Sequence, residues 1–255
     1  MKFSIQYYID LAVVLTQKEL KARYKNSFLG YLWSIGNPLV FAAVFYVAFK
    51  VIMKIEMEDY PFFVVTGLFP WQWFSNSVSS SSVVFLKNTS MVKKVNFAKN
   101  FLPLATTFSD MIHFVLSIPI VFVLLVIYHR PFHLSYVYGI PLLLVLQLLL
   151  TYGLCLIVST ITLFFRDMER LILIILMLLF YVTPIVYPEQ MVPAHFTPLI
   201  YANPQALLII NWRSLLFNGT IVPELFLATC AYTALVLAMG QFVYRKLCYR
   251  FAEIV

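Results

Sequence analysis

The sequence predicts an all-α integral membrane protein with six transmembrane helices, and three observations lead there. First, 62% of its 255 residues are hydrophobic and only 11% are charged, with a mean hydropathy of +0.88. A soluble domain carries roughly 25% charged residues, so this chain has too little polar surface to be solvated. Second, charge is absent from six stretches: 26–49, 60–86, 111–129, 131–165, 171–188 and 225–244. Each approaches or exceeds the ~18 residues that mark a membrane helix crossing about 30 Å of hydrocarbon. Third, dividing the chain at these stretches leaves 14 Lys and Arg on one side and 4 on the other. The positive-inside rule then puts both termini in the cytoplasm. The net charge of +7 is a topology signal and a headgroup attraction, so nucleic acid is not an expected partner.

Residues 1–27 precede the first span. Ile5, Ile9, Ala12 and Val13 repeat at helical spacing, and Gln6, Asp10, Gln17, Lys18, Lys21 and Lys25 supply polarity. This pattern predicts an amphipathic helix along the inner interface. Gln6 and Asp10 interrupt the apolar run and no small-residue cleavage site follows, so it does not read as a secretory signal. The chain then enters the bilayer through RYKNSFLGYLWSIGNP (23–38), where Gly30, Gly36 and Pro38 suit close packing or a bend. Trp33 suits an interfacial anchor. Phe41, Phe45 and Phe49 form an i, i+4 stripe in the first span, and Phe69, Trp71, Trp73 and Phe74 cluster in the second. These rings either face lipid and interface or give a sugar chain flat surfaces to slide along.

The loop 87–100, KNTSMVKKVNFAKN, has four lysines and no acid, yet also Met91, Val92, Val95 and Phe97. A loop that merely joins two helices needs no apolar residues. Either a short helix here, carrying Lys93 and Lys94, docks on a cytoplasmic protein, or the loop rests on headgroups. In the second inner loop, FFRDMERL (164–171), Arg166 with Asp167 and Glu169 with Arg170 either pair locally or meet the same partner. Asp110 falls inside the third span, where an acid is expensive and functional by default. It pairs structurally, shares a proton with His113, or faces a hydrated channel.

Residues 189–223 resist a simple span. Pro184, Pro188, Pro193, Pro198 and Pro204 interrupt the backbone, and Arg213 sits among apolar neighbours. A seventh crossing would place Arg245, Lys246 and Arg250 outside, against the charge rule. Parity therefore predicts two re-entrant outer half-helices, with a helical pair at the outer interface as the alternative; Gln205–Phe217 suffices for half a bilayer only. The chain divides into an interface helix (1–27), spans one to five (28–188), a re-entrant region (189–223), span six (224–245) and a cytoplasmic tail (246–255). Cys155, Cys230 and Cys248 form no CxxC pair and read as free thiols. There is no GxxxxGK[ST] phosphate loop, and His113, His129, His133 and His195 lack metal spacing. The acidic run 56–59 is a solvated outer loop or a divalent-cation site. No catalytic residue, cofactor or metal is expected in this chain.

Taken in order, these segments resemble the permease subunit of type-2 ABC exporters that move lipid-linked polysaccharide such as O-antigen or teichoic acid. RYKNSFLGYLWSIGNP is similar to that family's approach to its first span, and GLFPWQWF (67–74) to its second. KKVNFAKNFLP (93–103), FFRD (164–167), TPIVYP (183–188) and NPQALLIINWR (203–213) are similar to its later segments; Ala98 departs, standing where the family usually has proline. The resemblance implies a homodimeric pore in the bacterial cytoplasmic (inner) membrane, driven by two separate ABC ATPase subunits that hold the ATP and Mg. It implies coupling through Met91, Val92, Lys93, Lys94, Val95, Phe97, Arg166 and Asp167. The channel lining expected from the aromatic stripes and the intramembrane acid is Phe41, Phe45, Phe49, Phe69, Trp71, Trp73 and Asp110. The implied outer gate is Pro184, Tyr187, Pro188, Pro193, Asn203, Pro204 and Arg213. The expected substrate is a polyprenyl-diphosphate-linked polysaccharide. Two rivals remain at this level: an exporter of a drug or simple lipid, and a membrane enzyme acting on polyprenyl phosphates with Asp110, His113 and Arg213.

Overall fold

A computed structural model describes residues 4–24, 32–52, 54 and 59–254, and every regular element among them is helical. Helix α1 (Ile5–Tyr24) comes first, and α2 (Leu32–Phe45) continues into a π-helical stretch, Tyr46–Ile52. Helix α3 (Tyr60–Ser82) is followed by the short α4 (Val84–Lys87) and α5 (Thr89–Lys94). The long helices α6 (Phe101–Ile127) and α7 (Tyr136–Phe164) precede α8 (Met168–Val182). Two single turns and α9 (Thr197–Tyr201) lead to α10 (Pro204–Asn218), α11 (Pro223–Leu247) and a final turn, α12 (Phe251–Ile254).

Among the described residues, the helices beginning at Phe101, Tyr136 and Pro223 are long and apolar enough to cross a membrane. The chain is therefore a membrane protein by composition and by helix length together. Helix α3 is different: it carries Gln72, Asn76 and a run of serines, and most of it is buried. It packs against α2, α6, α7, α8 and α10, so it forms the axis of the bundle. Several polar groups buried along this helix find protein partners that lipid could not supply. Trp73 Nε1 donates to Thr107 O at 3.2 Å, and Gln147 Nε2 of α7 donates to Pro70 O at 2.7 Å. Trp212 Nε1 of α10 completes the chain by donating to Gln147 Oε1 at 2.7 Å.

Two of the long apolar helices are joined through small residues. Helices α7 and α11 cross at Gly153 and Gly240, where a Cβ on Gly240 would lie 2.6 Å from Gly153 O. Close backbone approach of this kind is how membrane helices gain packing when lipid offers no hydrophobic drive.

Two boundaries differ from the sequence reading. The fifth span, expected to reach residue 188, stops as a helix at Val182, because Pro184 supplies no backbone donor to continue it. The helix expected over 87–97 is two short turns ending at Lys94, and Val95 is extended. The chain over 25–31, including Gly30 in the approach to the first span, lies outside the described residues, as do 55–58 of the acidic run.

Candidate functional site

An open groove of about 470 Å³ runs between α2, α3 and α8. Its walls have opposite character. Phe41 and Phe45 from α2, with Leu173, Leu176, Met177, Phe180 and Tyr181 from α8, make one side apolar and aromatic. Phe45 stacks on Phe180 at 5.7 Å between centroids, and Trp71 meets Phe180 edge-on at the same distance. The other side is α3, which presents Gln72, Ser75, Asn76 and Ser79. Their i, i+3, i+4, i+7 spacing places them on a single helix face.

Exposure on these helices is inverted. Beyond Arg170 the exposed side chains of α8 are apolar or aromatic, among them Ile174, Ile175 and Leu178, as lipid contact requires. From Leu68 to Ser82, α3 buries its aromatic and aliphatic residues and leaves only polar ones less than fully buried. Among the described residues, the side chains of Gln72, Ser75, Asn76 and Ser79 make no hydrogen bond within the protein. A polar face without internal partners belongs to water or a polar solute rather than hydrocarbon.

Of the residues assigned to the channel from sequence, Phe41, Phe45 and Trp71 line this groove. Phe69 and Trp73 point into the packed core instead; Trp73 stacks on Phe114 at 5.4 Å. The side chain of Phe49 lies outside the described residues. Asp110 is buried in α6, ion-paired with Arg23 of α1 and accepting a hydrogen bond from Ser77 Oγ at 3.0 Å. Gln72, Ser75, Asn76 and Ser79 were missed as site residues. Their polar stripe at helical spacing was legible, but the aromatic residues beside it drew the assignment.

At one end of the bundle a second, smaller core joins Leu15 of α1, Val84, Phe85, Val92, Phe97, Leu102, Ala105, Leu163 and Phe251. Val92 and Phe97 are therefore anchors for their own loop, which is a correction to their reading as partner contacts. Met91 is half-buried and takes a contact from Lys18 Nζ at 3.4 Å, and Lys18 also bonds Asn88 Oδ1. Lys93, Lys94 and Val95 are exposed, as are Arg166 and Asp167 in the neighbouring loop. No ion pair joins Arg166 to Asp167 among the described residues.

At the opposite end, the unwound segment 183–186 is buried, and Arg213 of α10 holds it. Arg213 Nη1 donates to Pro184 O at 2.9 Å and Nη2 to Ile185 O at 3.0 Å, while the guanidinium sits 3.6 Å over the Phe63 ring. Tyr60 Oη donates to Val186 O at 3.0 Å. Gly67 gives this cluster its room: a Cβ there would lie 2.7 Å from Arg213 Nη2. Asn203 accepts from Gln205 N at 3.0 Å to cap α10, with Pro204 in its first turn, and donates to Thr183 Oγ1 at 2.8 Å. Tyr187 Oη donates back to Tyr181 O at 2.7 Å. Pro188 and Pro193 introduce single turns, and Pro193 is exposed.

Two separate polar clusters therefore sit at opposite ends of α3. Arg213 lies beside Phe63 and Asp110 beside Ser77, 14 residues apart along the helix, about 21 Å. Asp110 and Arg213 are not brought into one site, which removes the geometric basis of the enzyme rival. Among the described residues no three His, Cys, Asp or Glu side chains gather as metal ligands would.

A groove with one polar and one aromatic wall, set in a membrane bundle, is a transport geometry, and comparison with known proteins supplies the family. The model of the ABC-2 type transporter family matches residues 11–217. The chain belongs to that family. This ABC-2 transporter chain is 44% identical over 255 residues to an O-antigen export system permease protein RfbA of Klebsiella pneumoniae, covering 100% of this chain and 98% of the relative. It is 30% identical over 249 residues to the protein of the same name from Myxococcus xanthus, covering 96% and 95%. A more distant relative is the polysialic acid transport protein KpsM of Escherichia coli, 25% identical over 235 residues, covering 89% and 90%. The ABC-2 match takes in α2, α3, α8 and α10, and with them the whole groove and the Arg213 cluster.

Proposed function

We propose that this chain is the permease subunit of an ATP-driven exporter that moves an O-antigen-type polysaccharide outward across the bacterial cytoplasmic membrane. The observation that carries the reading is the inverted face of α3: polar side chains without internal partners opening into a groove opposite aromatic rings. The names of the relatives support polysaccharide as the cargo. A drug or simple lipid would need an apolar surface, not a row of amides and hydroxyls.

In this reading two copies face each other across their grooves and enclose the path. The six crossings are α2, α3, α6, α7, α8 and α11, and α9 with α10 forms the re-entrant outer pair. Both termini lie in the cytoplasm, following the distribution of Lys and Arg. Two separate ATPase subunits, holding ATP and Mg, dock on the inner surface formed by Lys93, Lys94, Val95, Arg166 and Asp167. Their closure moves α5, and the inner core around Val92 and Phe97 transmits the movement to α1, α6 and α7. The polysaccharide is carried on a polyprenyl diphosphate and threads past α3. The segment held by Arg213 closes the outer end until the chain arrives.

Expression of this chain with its ATPase partner, in cells deleted for their own O-polysaccharide exporter, tests the reading. Surface polymer should return only when both chains are present, and Ser75→Trp, which fills the groove, should abolish it while leaving membrane levels unchanged. Export that survives Ser75→Trp would move the path elsewhere.

A further inference from the structure

The groove carries a second message in what its walls lack. Among the described residues lining it there is no Asp, Glu, Lys or Arg. Besides the aromatic Trp71 and Tyr181, its polar side chains are the amides of Gln72 and Asn76 and the hydroxyls of Ser75 and Ser79. Each of these both donates and accepts hydrogen bonds. All four lie on one α3 face over about 10 Å of helix rise. They have no partners within the described protein, so they are available to a passing solute.

We propose that these four side chains read the cargo and that the cargo is a neutral, hydroxyl-rich glycan. The inference rests on the translocation groove proposed above and names the class of polymer it accepts. Sugar hydroxyls match the amide and Ser groups donor for acceptor. The C–H faces of the same rings meet Phe41, Phe45, Phe180 and Tyr181, whose π-faces carry negative charge density. The wall is thus two-sided in the way a neutral sugar ring is two-sided. A polymer with a carboxylate on each repeat has no such match. Every repeat would bring a charge into a membrane-depth groove that offers no countercharge, and an unpaired charge in that setting is strongly disfavoured. The contacts are also interchangeable along the stripe, so a repeating chain can step from Gln72 to Ser79 without being held at one point.

The test supplies the full chain and its ATPase partner with two polymers built on the same lipid carrier, one neutral and one bearing a uronic acid in each repeat. Surface display of each is measured against its cytoplasmic pool. The neutral polymer should be displayed about tenfold more efficiently than the acidic one. Asn76→Lys, and independently Gln72→Arg, should narrow or reverse that ratio by supplying a countercharge, whereas Asn76→Gln should preserve it. Membrane level and ATPase co-purification are followed for each variant, and the ratio is read only from variants that retain both. Equal display of the two polymers, or a preference for the acidic one, overturns the inference. Ser75→Trp separates that failure from failure of the groove itself: if it blocks both polymers the path stands and only the neutral class is wrong, and if it blocks neither the groove reading falls too.

Discussion

Arg23, in the last turn of α1, forms an ion pair with Asp110 inside α6, and Ser77 of α3 donates to the second carboxylate oxygen. One acid thus ties α1 to α6 and α3. Asp110 is 1% exposed, while the Arg23 side chain keeps 33% of its surface. Of the alternatives the sequence leaves open for Asp110, the structure contains the pairing, with an arginine more than eighty positions earlier.

That pairing predicts asymmetric mutational costs. Arg23→Met strands a buried carboxylate and should destabilise the purified protein by about 3 kcal/mol, at the low end for a broken buried pair because Arg23 is partly solvated. The double variant Arg23→Met with Asp110→Leu should recover most of the loss. Thermal midpoints of the three proteins in one detergent give the comparison, and a double variant no better than the single would show that the pair is not what holds α1.

Val95 and Phe97 should separate coupling from folding. Val95 is 50% exposed and Phe97 only 8%. Val95→Asp should leave membrane level and thermal stability unchanged and reduce ATPase co-purification. Phe97→Asp should lose the inner core itself, by several kcal/mol for a buried unpaired carboxylate, and expose α5 to trypsin at Lys93 and Lys94. Equal phenotypes for the two would mean that Val95 is not a partner contact.

Arg213→Lys is expected to behave as a loss, not a conservative change. A point charge cannot bridge Pro184 O and Ile185 O as the planar fork does. Leaving one of these buried carbonyls without its donor costs about 1–3 kcal/mol. A cysteine placed at Ile185 should become more reactive to thiol reagents in the Lys variant, and Gly67→Ala should do the same by crowding the guanidinium.

Gly240→Val should lower the thermal midpoint by pushing α11 off α7, at a cost of about 1–3 kcal/mol for overpacking. Gly240→Ala should fall between it and the native protein, because even one methyl group meets Gly153 O. A Gly240→Val protein as stable as the native one would show that the crossing is loose.

The sequence by itself determined the membrane class, the positions of most helices and the family. These depend on composition, charge-free length and local motif order, which are properties of nearby residues. It also marked 184–204 as a stretch that no continuous helix could cross, since a missing donor is a local fact, although the helix stops at Val182, six residues before the expected end of the span. What only the tertiary structure decided was the direction each side chain takes once the helices pack. Trp71 lines the groove and Trp73 the core although they are two residues apart, because helical geometry turns neighbours in sequence to different faces. Phe97 reads as a docking residue until Leu15, Phe85, Leu163 and Phe251 arrive from four other segments to bury it. Arg213 reads as a charge out of place until the unwound carbonyls of 184 and 185 are brought beside it. In each case the partner is distant along the chain, and no periodicity or spacing encodes a contact that folding alone creates.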